Sequence, residues 1–128
     1  MNGKTAEAGK RLYALRGATR CENGEVDICK RVAALYDALL ERNRLAEGDI
    51  VSLIFSVTPD LDAKNPAAAL RQSGRGADLA LFAVQEAAAR GGLERVIRVL
   101  LHCYLDEGSS PSHVYQNGAE VLRPDRSA

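Results

Sequence analysis

Two apolar runs between residues 81 and 105 flank a Gly91-Gly92 break, and each carries one charge that a core strand has no use for. Glu86 closes the first run. Arg98 stands between Ile97 and Val99 in the second, the only formal charge from residue 96 to residue 105. A guanidinium in such surroundings needs a carboxylate partner or an anionic ligand, because leaving one member of a buried pair uncompensated costs ~3–5 kcal/mol. Arg16 (beside Gly17), Tyr115 and Arg123 are further polar residues at predicted strand ends. Arginine forks bind carboxylates through two parallel bonds and stay charged at any working pH. A carboxylate can accept from a ligand hydroxyl. The set therefore suits a small dianionic ligand and requires no nucleophile. No phosphate loop, dinucleotide fingerprint, H-E-x-x-H or G-x-S-x-G occurs, and His102 and His113 lack an Asp–Ser or Cys arrangement. What remains is chemistry helped by conformation and charge placement. By residue type alone, Glu86 and Arg98 read more readily as a structural ion pair than as a catalytic one.

Charge and cysteine usage bound the setting. Seventeen basic side chains balance seventeen acidic ones, so no global field draws in nucleic acid or an anionic membrane, and any anion site is local. Cys21, Cys29 and Cys103 are odd in number and form no C-x-x-C pair, which argues against a disulfide framework or a zinc site and fits a reducing cytoplasm. No apolar run approaches a membrane span, and the first ten residues have no apolar leader core. The expectation is a disordered tail over 1–10 and a single cytoplasmic domain over 11–128, with no metal or cofactor implied.

The elements that must position the polar set follow from periodicity. Residues 11–16 alternate and read as a strand ending in R-G-A-T, where Gly17 permits a tight turn or a close backbone approach. A helix follows, with Asn23 as N-cap and an apolar stripe of Ile28, Val32, Leu35, Tyr36, Leu39 and Leu40. The β-branched run 50–57 reads as a central strand stopped by Pro59. Asn65-Pro66 opens a second helix that Gly74 ends, with Arg71 in its last turn. Strands are expected over 79–84 and 96–105. In the latter both faces are largely apolar, which predicts burial on both sides or a subunit contact. Residues 113–115 read as a helical turn and 119–122 as a last short strand. The order is α+β, a sheet with helices laid on it.

The words R-G-A-T at 16–19, S-V-T-P-D-L at 56–61, Q-E at 85–86, G-G-L at 91–93, I-R-V at 97–99, H-V-Y at 113–115 and L-R-P-D at 122–125 follow one another in a particular order. That order and spacing resemble the monofunctional chorismate mutases of the AroH class over nearly the whole chain. The resemblance implies rearrangement of chorismate to prephenate, without cofactor or covalent intermediate, in aromatic amino-acid biosynthesis. It implies a mixed sheet with helices on one face, a homotrimer whose three sheets form a pseudo-α/β-barrel, and clefts between adjacent subunits. Arg98 matches the arginine at the ether oxygen and Glu86 the carboxylate that accepts from the substrate hydroxyl. Arg16 and Tyr115 match the pair at the side-chain carboxylate, and Arg71 and Arg123 match more peripheral arginines. Leu81, Phe82 and Ala83 match a wall segment, while Asn65 and Ala67 align with the neighbouring subunit's side. Asn65 stands where the family usually has an aromatic residue, and Ala68 where it often has a longer polar one. Rival readings are a trimeric enamine or imine deaminase and a non-catalytic binder of an aromatic-pathway metabolite.

Overall fold

Which side of each strand is apolar decides how this chain folds, and the helix stripe decides which side is covered. The computed structural model describes residues 9–122. Strand β1 (Lys10–Arg20) leads to helix α1 (Glu25–Arg42) and strand β2 (Ile50–Val57). Helix α2 (Pro66–Gln72), strands β3 (Ala80–Gln85), β4 (Val96–Asp106) and β5 (Val114–Gln116), and a 3-10 turn over Ala119–Leu122 complete the order. The expected tail over 1–10 lies outside the described residues except for Gly9 and Lys10, and Lys10 already belongs to β1.

The strands form one mixed sheet in the order β3-β2-β4-β1-β5. β4 is its spine, antiparallel to both β1 and β2, while β3 and β5 join the edges in parallel. The α1 stripe of Ile28, Val32, Leu35, Tyr36 and Leu39 is buried on one face of this sheet, against Leu15, Leu53, Phe55, Ile97, Val99, Leu101 and Cys103. Ala67, Ala69 and Leu70 of α2 join the same core. The opposite sheet face is open in the single chain. Leu12, Ile54, Phe82 and Val84 are exposed there, Phe82 by 63%.

Several local expectations are corrected. β1 does not end at Gly17 but runs through it; the glycine serves close approach, since a Cβ there would lie 3.1 Å from Leu35 Cδ1 and 3.2 Å from Leu39 Cδ1. Gly24, not Asn23, is the N-cap of α1. Asn23 instead pins the loop between β2 and α2, accepting from the N–H of Asp62 at 3.1 Å and of Ala63 at 3.0 Å. The helical turn expected at 113–115 is strand β5, and the strand expected at 119–122 is the 3-10 turn. Both segments are too short for local preference to decide; β5 exists because Gly17, Ala18 and Thr19 offer it a free edge. Asn65 does cap α2 as expected, accepting from the N–H of Ala67 at 2.8 Å, with Pro66 at the first helical position.

Candidate active site

Alternation along β4 sends Ile97 and Val99 into the helix-covered core and Arg98 to the open face, where its side chain is 45% accessible. Its apolar neighbours in sequence are thus not its neighbours in space. Ser56 of β2 and Ala18 of β1 flank it across the sheet, and Tyr115 of β5 lies beyond Ala18. The next row holds Ile54, Leu100 and Arg16. Because Ser56 and Ala18 are small, the larger residues around them enclose a recess of about 330 Å³ lined by Arg16, Ala18, Ile54, Ser56, Arg98 and Tyr115. That is within the usual size range of small-molecule sites.

Glu86 meets Arg98 and Ser56 of this recess from just past the end of β3, where its N–H donates to the Val57 carbonyl at 2.8 Å. One carboxylate oxygen, Oε1, lies 3.0 Å from Arg98 Nε and accepts from the Ser56 hydroxyl at 3.2 Å. The other oxygen, the two terminal nitrogens of Arg98, the Arg16 guanidinium and the Tyr115 hydroxyl have no partner among the described residues. The sequence posed two alternatives for Arg98, an internal carboxylate or an anionic ligand. The internal carboxylate is found at Nε, and the fork is left without a partner among the described residues. An ion pair this accessible contributes only ~0–1 kcal/mol to stability, so it is a weak account of why a charge sits in β4.

Leu81, Phe82, Ala83, Asn65, Ala67 and Arg71 do not join that recess. Leu81 and Ala83 pack against the core, while Phe82 points out of the open face. Asn65, Pro66, Ala83, Val84 and Gln85 line a separate recess of about 280 Å³ at the β3 edge. Arg71 is exposed in the last turn of α2, and Arg123 lies outside the described residues. A third recess holds Arg20, Arg31 and Arg95, but these already face the Glu94 carbonyl at 3.1 Å, Asp27 at 3.5 Å and Glu94 Oε1 at 3.5 Å. Its charge is largely compensated, whereas that of Arg16 is not.

No thiol is poised as a nucleophile at the recess. Burial, then the Asp27 charge, pushes Cys21 up to about 11; burial, then Asp49, does the same for Cys103, so both are protonated at neutral pH. Among the described residues no group of three His, Cys, Asp or Glu side chains could hold a metal ion, and no helix is long and apolar enough to cross a membrane. Sequence reasoning passed over Ser56. The available signal was its place at the head of the 56–61 word, on the alternate face of β2 from Phe55.

The family model described as chorismate mutase type I matches residues 12–126. The chain belongs to the type I chorismate mutase family. Chorismate mutase AroH of Bacillus subtilis is 35% identical over 118 residues, covering 91% of this chain and 93% of that protein. Chorismate mutase AroH of Thermus thermophilus is 35% identical over 117 residues, with 89% and 95% covered. A solved chorismate mutase from Clostridium thermocellum superposes with a TM-score of 0.78 at 40% identity, covering 86% of this chain and 99% of that one. The coverage of this family match includes every candidate residue named above.

Proposed function

We propose that this chain is an isomerase that converts chorismate to prephenate in aromatic amino-acid biosynthesis, and that the recess around Arg98 is the central part of its site. Family membership supports the reaction. The observation that carries the site is one recess lined by two arginines with unused guanidinium nitrogens and an unbonded tyrosine hydroxyl, with a carboxylate that has one free oxygen held beside it by Arg98 and Ser56. The reaction breaks one carbon–oxygen bond and forms one carbon–carbon bond within a single molecule, so no co-reactant, nucleophile or cofactor is required.

The mechanism follows from the substrate's chemistry. Chorismate carries two carboxylates and favours an extended conformer in which the reacting carbons are apart. Arg16 and Arg98 hold the carboxylates so that the carbons meet, a gain in proximity and orientation. Negative charge grows on the ether oxygen as the bond breaks. The open fork of Arg98 stabilises that charge more in the transition state than in the ground state. Glu86 accepts from the substrate hydroxyl through its free oxygen, and Tyr115 donates to a carboxylate.

A homotrimer is part of the proposal. The exposed apolar face of the sheet supports it, since patches of this kind mark association surfaces. In that assembly Asn65 and Ala67 close the site of a neighbouring subunit, the β3 segment 81–83 forms a wall of the cleft, and Arg71 lies near its mouth. A cytoplasmic setting is supported by the three free cysteines.

Loss of chorismate absorbance, with acid conversion of prephenate to phenylpyruvate, tests the reading. Purified protein should turn chorismate over. Arg98→Lys keeps the charge but loses the fork, and kcat should fall about 10²–10³-fold. Arg98→Ala should lose more. Chorismate that binds without conversion by the folded wild-type protein would refute the mutase reading in favour of a binder, and turnover of an imine substrate alone would point to a deaminase.

A further inference from the structure

His113 lies one residue before β5 and outside the recess, yet it meets the strand that carries Arg16. The backbone N–H of Arg16 donates to His113 Nδ1 at 3.0 Å. With Gly17 opposite Val114 and Ala18 opposite Tyr115, the next rung of a parallel ladder would take that N–H to the carbonyl of Ser112. That carbonyl is engaged elsewhere. It accepts from Asn43 Nδ2 at 3.0 Å, and Asn43 Oδ1 accepts from the Ser112 N–H at 2.8 Å. Asn43 in turn ends α1, its Nδ2 also donating to the Leu39 carbonyl at 2.8 Å. The C-terminus of α1 thus pulls residue 112 out of the sheet, and the imidazole supplies the acceptor that the backbone no longer offers.

We propose that His113 is a positioning residue for the anion site: its neutral ring, accepting at Nδ1, continues the β1–β5 pairing by one rung and fixes the backbone from which Arg16 projects. Arg16 has no side-chain partner among the described residues, so the backbone beneath it sets the point from which its guanidinium reaches. Tyr115, two residues beyond His113, pairs with Ala18 in the same β1–β5 ladder. The chemistry of this role is specific. An acceptor is needed at the position of Nδ1, and a protonated imidazole cannot provide one. The proposal rests on the reading of Arg16 as a substrate-carboxylate ligand.

Two variants separate acceptor from bulk. Asparagine places its Oδ1 near the position of Nδ1 and can accept; leucine fills similar space and cannot. His113→Leu should raise KM for chorismate about fivefold, the scale of one lost hydrogen bond, and should lower kcat less than that, because the carboxylate Arg16 holds is not a reacting group and is bound in the ground state as well as the transition state. His113→Asn should restore the wild-type KM. Amide hydrogen exchange reads the same bond without activity: Arg16 N–H should be protected in wild type and in His113→Asn, and exchange faster in His113→Leu. Equal protection and equal KM in all three proteins would overturn the proposal, as would an Asn variant that behaves like the Leu variant. Absence of turnover by wild type would instead remove the mutase reading, and the exchange measurement would still decide whether the imidazole holds the strand.

Discussion

Glu86 offers the sharpest distinction at the scale of single residues. Arg98 Nε and the Ser56 hydroxyl converge on Oε1, at 3.0 and 3.2 Å, which leaves the second oxygen without a partner among the described residues. In the proposed site Ser56 acts by orienting Glu86. Ser56→Ala should lower kcat/KM about tenfold, the worth of a hydrogen bond to a charged acceptor. Its melting temperature should hardly move, because the bond lies at a half-open site. Unchanged kinetics would mean that Arg98 alone orients the carboxylate. The sequence brought Glu86 and Arg98 into view by their incongruity, each a charge in an apolar run. Ser56 sat in a β-branched run with nothing incongruous about it. Its role depends on which residue of β3 ends beside it, and that register is a property of strand pairing rather than of local composition.

Elements with many periodic residues were legible and short ones were not. The five buried residues of the α1 stripe and the run of β2 declare their period over enough positions to outweigh any single exception. Residues 113–115 and 119–122 give a period no room, and pairing with β1 chose between them. Gly17 shows the same limit within a long element. Its freedom from a side chain was visible, but whether that freedom served a turn or a close contact depended on where α1 lies. The answer is a contact: an added Cβ would meet Leu35 Cδ1 and Val99 Cγ1 at 3.1 Å and Leu39 Cδ1 at 3.2 Å. Gly17→Ala should push α1 from the sheet at a cost of about 1–3 kcal/mol. Thermal unfolding would register this as roughly 4 °C per kcal/mol. An unaltered midpoint would show that the three methyl groups yield freely and that glycine is not required there.

For the whole molecule the open face of the sheet is decisive. From β4 alone, burial on both sides and a subunit contact were equal alternatives, since both of its faces are largely apolar. The helices cover one face only, which leaves Ile54 at 38% and Phe82 at 63% exposure on the other, and balanced charge does nothing to keep copies apart. The arrangement of the two recesses makes assembly testable through activity. If a site takes its Arg98 half from one subunit and its α2 half from the next, then Arg98→Ala and Arg71→Glu damage opposite halves. Protein of each kind alone should be nearly inactive at low chorismate. Unfolded together in equal amounts and refolded, they should form trimers of three times the 13.8 kDa chain mass, in which about one site in four receives an intact half from each neighbour. Activity should then rise to about a quarter of wild type. Recovery no greater than the average of the two parents would show that each chain builds its own site, and the recess at the β3 edge would lose its place in the reaction.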